Sequence, residues 1–175
     1  MPMKQALEYG LYGTYGTKDP VVPVALEIKH YKPGLFHLVD HPTERAVRKN
    51  RFLWWGMTLG RYEVYYAVMN GKVVHHSYVV PKCMRFPFLK RRQYVICSSN
   101  TDASCRGMGV FPQVLSRILQ DYGTEAWFYA MIADDNHASI RGTAKVGFTY
   151  MGRAEQSKRH IWKIMPDRTG AEVQS

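Results

Sequence analysis

The sequence is short of acid, short of cysteine and free of long apolar runs, and each shortage closes a class of function. Fourteen Asp+Glu stand against twenty-four Lys+Arg, a formal net charge of +10 at pH 7 over 175 residues. A surface this basic attracts anions at long range. The partners to weigh are phosphorylated cofactors, nucleotide-linked sugars, RNA and anionic lipid. A basic surface that only keeps the chain soluble is the plainer alternative. The three cysteines, Cys83, Cys97 and Cys105, are odd in number and lack CxxC spacing. That speaks against a disulfide scaffold or a zinc site, so no metal is expected, and it fits a reducing cytoplasm. The apolar stretches Val64 to Met69 and Ala126 to Ala133 fall far below the ~20 residues of a membrane helix. No basic head followed by an apolar run opens the chain, so neither a secretory signal nor a membrane partner is expected. No internal repeat or low-complexity tract is visible.

What remains is ordinary for a folded domain, with 46% apolar and 22% charged residues. One domain is expected over 1–165, with a loose tail at 166–175. Leu11 to Pro20, rich in Gly, Tyr and Thr, reads as turns, and Val21 to His30, broken by Pro23, as an edge strand. Lys32-Pro33-Gly34 marks a turn. Thr43 to Trp55 suits a short helix capped by Thr43 and ended by Gly56. Tyr62 to Met69, Asn70-Gly71 and Lys72 to Val80 form a hairpin pattern with a type I′ turn signal. Tyr94 to Ser99 reads as a strand. Val110 to Tyr122 reads as a helix with Val114, Leu115, Ile118 and Leu119 on one stripe and Gly123 at its end. Ala126 to Ala133 has strand length and suits burial on both faces. Asn136 to Val146 suits a helix closed by Gly147, with two strands, Phe148 to Gly152 and Arg159 to Met165, after it. The order predicts an α/β fold, a mixed sheet with helices on its faces.

The chemistry concentrates between the Tyr94 strand and the Val110 helix, in Thr101-Asp102-Ala103-Ser104-Cys105-Arg106-Gly107-Met108-Gly109-Val110. Glycines at a helix mouth let backbone approach a ligand, and the unpaired first-turn amides with the helix dipole favour a phosphate there. Arg106 adds a charge-assisted donor. Neither GxxxxGK[ST] nor GxGxxG is present, since Pro112 stands three residues after Gly109.

Arg106-Gly107-Met108-Gly109-Val110 resembles motif A of the GNAT superfamily of acyl-CoA N-acyltransferases, (Q/R)-x-x-G-x-(G/A). Asn136-His137-Ala138-Ser139 through Lys145-Val146-Gly147-Phe148 is similar to that family's motif B. The resemblance covers Tyr62 to Met165. It implies a central mixed sheet flanked by helices and transfer of an acetyl group from acetyl-CoA to an amine in a direct ternary complex. It places the pyrophosphate on the amides of Gly107, Met108, Gly109, Val110 and Phe111 with the Arg106 side chain. It lays the pantetheine arm in a gap where Ser99 to Thr101 splays from the Ala126 strand, with Asn136 and Ser139 at the second helix. The implied cofactor-site residues are therefore Ser99, Thr101, Arg106, Gly107, Met108, Gly109, Val110, Phe111, Asn136 and Ser139. The superfamily is commonly dimeric, so a homodimer is among the expected states.

Two positions depart from the pattern. Phe111 stands where motif A has Gly or Ala, followed by Pro112, which a helix's first turn accepts. Thr143 stands four residues before Gly147, where motif B usually carries a Tyr that protonates the thiolate. A lysine-like amine has a pKa of about 10.4, so a base must take its proton. The candidates are His75, His76, Glu63 and Asp102, with Asp102 ahead on position and His76 on imidazole chemistry. Ser98, Ser99 and Asn100 could order water beside them. Cys105 as a covalent acyl carrier is a minor candidate, and a small turn residue is its plainer role. The basic runs Arg85 to Arg92 and Arg45, Arg48, Lys49, Arg51 are solvated faces or phosphate contacts. The charge and the Phe-Pro variant favour an anionic or nucleotide-linked amino sugar as acceptor. The alternatives are a protein or aminoacyl-tRNA amine, or a non-catalytic module that binds CoA or nucleic acid.

Overall fold

The computed structural model describes residues 8–23, 25–37, 40 and 48–165, with backbone only at 48–50. The expected Thr43 cap, Arg45 and the expected loose tail lie outside the described residues. Eight strands form one sheet in the order β2-β3-β4-β5-β6-β1-β7-β8. They are β1 (Tyr9–Tyr15), β2 (Glu27–Tyr31), β3 (Glu63–Met69), β4 (Lys72–Val80), β5 (Gln93–Thr101), β6 (Trp127–Ala133), β7 (Thr149–Gln156) and β8 (Trp162–Met165). The helices among the described residues are α1 (Arg48–Thr58), α2 (Val110–Tyr122) and α3 (His137–Ala144), with a 3-10 turn at Ala103–Cys105. This is the expected mixed α/β sheet. None of these helices is long and apolar enough to cross a membrane.

The hairpin forms as its turn signal requires, with Asn70 and Gly71 both at positive φ (51° and 73°). Helix α2 spans the expected residues, and its C-terminal Gly123 takes a φ of 69°. Its stripe Val114, Leu115, Ile118 and Leu119 is at most 1% exposed and shares one core cluster with Tyr65, Ala67, Val79 and Ile96 of β3 to β5 and with Phe128, Ala130 and Ile132 of β6. Burying side chains of this size contributes roughly 1.5–3 kcal/mol each. On the other face of the sheet Trp54 of α1 joins Tyr62, Tyr78, Phe86, Leu89 and Val95 in a second core cluster. Strand β6 is fully buried only on the α2 side. Its alternate residues Trp127, Tyr129 and Met131 are half-buried, so the expected burial on both faces holds for one face only.

Three further expectations need correction. Leu11 to Pro20 is not all turn, because β1 runs between β6 and β7 and pairs with both. Its glycines serve close packing rather than turning: a Cβ on Gly13 would stand 2.7 Å from the Trp127 ring. The Val21 to His30 edge strand begins only at Glu27, since the Val21 and Val22 amides donate to Ser116 Oγ. Gly56 does not end α1, which runs to Thr58 and stops where Leu59 and Gly60 turn to positive φ.

One parallel pair joins the two halves of the sheet. Strands β5 and β6 pair only at Gln93↔Trp127, Tyr94↔Phe128 and Val95↔Tyr129, and then part. Beyond that point β5 follows β4 to His75↔Thr101, while β6 follows β1 to Tyr9↔Ala133. A bulge marks the parting. The β4–β5 register shifts between His76 and Tyr78, and Ser98 takes a φ of 51°. An extra residue in one strand bends it and increases its twist, which turns β5 away from β6.

Where β1 leaves the sheet, a Cβ on Gly16 would lie 2.0 Å from the Gly123 carbonyl oxygen at the end of α2. Backbone cannot yield there as a flexible side chain can. Gly16→Ala is expected to cost about 3 kcal/mol by overpacking, which lowers the melting temperature by roughly 6–12 °C. Gly56→Ala, mid-helix with nothing within 4 Å of its Cβ, is expected to stabilise by about 0.5–1 kcal/mol. Thermal melts of the two variants check both signs, and an unchanged Gly16→Ala melt would contradict this junction.

Candidate active site

The parting of β5 and β6 opens a cleft of about 580 Å³ between the inner edge of β5, the loop into α2 and the start of α3. Its walls include Ser99, Thr101, Arg106, Gly107, Gly109, Val110, Phe111, Asn136 and Ser139. Motif-A and motif-B residues, far apart in sequence, thus line one space. Met108 does not line it, and its side chain is 57% exposed.

Local conformation explains the loop. Gly107 and Gly109 both adopt left-handed φ, 78° and 77°, and a Cβ on Gly107 would meet nothing within 4 Å. These glycines are therefore required by backbone conformation and by the open space in front of them. The first helical hydrogen bond of α2 runs from Gln113 N–H to the Gly109 carbonyl. The amides of Gly107 through Phe111 donate to no backbone acceptor among the described residues. Free amides at a helix start are an anion site.

The cleft carries charge of one sign. Arg106, Arg141 and Lys145 line it, and no carboxylate among the described residues does. Arg141 and Lys145 were missed from sequence, although their four-residue spacing on the motif-B helix puts them on one face. The Arg85 to Arg92 run, read as a solvated face or a phosphate contact, leads into the opposite end of β5 and lines no part of the cleft. Arg51 belongs to no solvated stripe. It is fully buried, hydrogen-bonded to the Tyr31 hydroxyl, with its guanidinium 5.1 Å from the Tyr78 ring centre.

The two departures from the family pattern are resolved in position. The Phe111 ring lies between α2 and α3, against His75 at a centroid distance of 5.7 Å. It takes the space that a Cβ on Gly142 would need, at 2.7 Å. The Thr143 hydroxyl is buried and donates to the Ser139 and Ile140 carbonyls of its own helix, at 3.1 and 3.0 Å. It does not act as an acid toward the cleft.

Neither residue placed foremost as the base lines the cleft. The Asp102 carboxylate accepts from Ser104 N–H at 3.0 Å and from Ser104 Oγ at 2.8 Å, capping the 3-10 turn. His76 points to the α1 side, 5.8 Å from the Tyr78 ring. Asn136 lines the cleft and also caps α3, its Oδ1 accepting from Ser139 N–H at 3.1 Å. The histidine that does face the cleft is His75, 1% exposed. Its Nδ1 is 2.7 Å from Thr101 Oγ1 and its Nε2 is 2.8 Å from Ser77 Oγ, which in turn is 2.7 Å from Ser99 Oγ. Burial, with His76 adding, lowers the His75 pKa to about 3. Burial and the Arg51 charge lower that of His76 to about 4. Burial pushes the Cys97 thiol up to about 12, which makes it a poor nucleophile. Cys105 is buried in the core beneath α2 and touches the cleft wall.

No protein-family model and no curated protein matches the chain. Solved structures do match. An acetyltransferase of the GNAT family from Colwellia psychrerythraea superposes with a TM-score of 0.59 at 15% identity, over 84% of this chain and 54% of its own. A tandem GNAT protein from the clavulanic acid biosynthesis pathway gives 0.53 at 17% identity, over 86% and 52%. A conserved protein of unknown function from Staphylococcus epidermidis gives 0.52 at 11% identity, over 84% and 59%. The chain has the GNAT fold, and it spans little more than half the length of these solved chains.

The two histidines set an acid sensitivity. In the unfolded chain each titrates near 6.5, so below that pH the unfolded state binds protons that the folded state refuses. Stability is therefore expected to be flat above pH 6.5 and to fall as pH drops from 6.5 toward 5. Melting temperatures across that range should slope less in the His75→Gln/His76→Gln double variant. An equal slope would show that neither histidine is held neutral.

Proposed function

We propose that the chain is an acetyl-CoA-dependent N-acetyltransferase that transfers the acetyl group directly to an amine. One observation carries this reading: the free amides of Gly107 to Phe111 and the unpaired inner edge of β5 face the same cleft. A diphosphate suits the amides with Arg106. An extended arm carrying amides suits the strand edge, where backbone groups await partners. Arg141 and Lys145 supply further positive charge for a ligand with a third phosphate. The bulge at Ser98 takes one peptide out of the β4–β5 ladder, and a backbone amide so released is suited to a carbonyl oxygen gaining charge. The solved neighbours described as acetyltransferases support the reading at the level of fold.

For the acceptor we favour a small anionic amine, such as a nucleotide-linked amino sugar. The support is the +10 charge and a cleft lined by cations without a carboxylate. A second reading, a CoA-binding module without catalysis, rests on Thr143, whose hydroxyl is spent within its own helix.

Calorimetry with acetyl-CoA, CoA, dephospho-CoA and ATP tests the reading. Micromolar binding of acetyl-CoA and CoA is expected, with ATP much weaker. Arg141→Gln should narrow the preference for CoA over dephospho-CoA. Gly109→Val should abolish binding, since its side chain would project where the diphosphate is held. Retained affinity in that variant would refute the loop assignment. A panel of amino sugars, their phosphates and nucleotide conjugates with acetyl-CoA then separates the enzyme from the silent module by product formation.

A further inference from the structure

The acyltransferase reading leaves one problem and the structure leaves one unused device. An amine that becomes an amide must lose a proton, and neither Asp102 nor His76 lines the cleft. Meanwhile Ser99, Ser77, His75 and Thr101 form a continuous chain of side-chain hydrogen bonds across β4 and β5. Both ends, Ser99 and Thr101, line the cleft, and the middle is buried, with Ser77 at 0% and His75, which borders the cleft, at 1% exposure. Ser99 sits next to the bulged Ser98, and Thr101 sits beside Arg106, whose Nε donates to the Thr101 carbonyl.

We infer that Ser99–Ser77–His75–Thr101 is a proton relay that carries the amine's proton from the bulge to water at the mouth of the cleft. The inference rests on the acyltransferase reading. Every link in the chain can both give and accept a proton. A hydroxyl does so at one atom, and a neutral imidazole does so by taking a proton at one nitrogen and releasing one from the other. The step balances. As the amine nitrogen bonds to the acyl carbon, the carbon–sulfur bond breaks and its electron pair leaves on sulfur. The amine's proton passes to Ser99 Oγ, the Ser99 proton to Ser77 Oγ, and the Ser77 proton to His75 Nε2. The proton on His75 Nδ1 passes to Thr101 Oγ1, and the Thr101 proton to water. The sulfur takes a proton from water. Rotation of the hydroxyls and exchange of the imidazole tautomer reset the chain. A low pKa suits His75 to this role, because burial keeps the ring from trapping the proton it passes on.

His75, Ser77 and Thr101 are positioning and relay groups, whereas a purely structural clamp would hold a single tautomer. Nitrogen NMR of protein labelled at histidine distinguishes the two, with His75 assigned from the His75→Gln spectrum. In the wild-type chain both ring nitrogens should show averaged shifts, the mark of two exchanging tautomers. Ser77→Ala should leave the proton on Nδ1, Thr101→Val should leave it on Nε2, and Ser77→Thr should restore averaging. One fixed tautomer in the wild type, unmoved by Ser99→Ala, would overturn the relay. In turnover with an amine from the acceptor panel, Ser77→Ala should lower kcat about 10²-fold with CoA affinity within twofold, and added imidazole should recover part of the loss. A Ser77→Ala enzyme with unchanged kcat would equally overturn it. Absence of CoA binding or of any product would count against the acyltransferase reading, and the tautomer measurement would still decide whether the chain conducts protons.

Discussion

The molecule depends on a parallel strand pair that is made and then abandoned. Strands β5 and β6 share three paired positions before each turns to its outer neighbour. Parallel neighbours need a crossover, and here α2 supplies it, so the N-terminus of α2 must lie at the end where the strands separate. The unpaired strand edges and the unpaired helix amides are thus brought together by connectivity. The two deficits of hydrogen bonding that a fold normally avoids are both left facing one cleft. The bulge at Ser98 sustains the separation by giving β5 extra twist.

Charge completes what the backbone begins. Arg106 comes from the loop and Arg141 and Lys145 from α3, and no carboxylate offsets them within the cleft. Where acids are present elsewhere they tend to be engaged. Arg117 and the Tyr65 hydroxyl bind Asp121, and Lys32 binds Glu63. Three basic residues thus converge on one place, and Arg51 shows that a cation in sequence need not reach the surface.

The elements legible in the sequence were those whose signals are local. The Asn70-Gly71 turn, the α2 stripe with its Gly123 stop and the left-handed glycines all depend on near neighbours in the chain. That the Gly107 to Phe111 amides are left without backbone acceptors at the start of α2 follows from the same local logic. What was not legible depends on distant partners. Tyr9–Tyr15 carries turn-like glycines, and for Gly13 it is the distant Trp127 and Met151 side chains that leave no room for a Cβ. Arg51 looks like part of a basic stripe until Tyr31 and Tyr78 enclose it. His75 and His76 are adjacent and chemically equal in sequence. Strand alternation assigns them to opposite faces but does not say which face holds the cleft.

The two departures from the family motifs are linked. With Phe in place of a small residue at 111, the ring occupies the ground between α2 and α3, so α3 must present a glycine, Gly142, to it. Thr143, the next residue, is then buried at 1% exposure with its hydroxyl bonded to its own helix. Thr143 therefore cannot serve the reacting groups as a proton donor, although Ser139 and Arg141 of the same helix line the cleft. The same Phe111 ring leans on His75, on the sheet side of the cleft. There the polar atoms lost from α3 are replaced by Ser77, Ser99 and Thr101 in line with an imidazole. A buried imidazole bonded at both nitrogens to hydroxyls is costly to assemble and gains little for stability over an apolar residue that would fill the space beside Phe111. Its presence next to the cleft, in the chain that lacks the usual tyrosine, is explained if proton handling has moved from the helix to the strands.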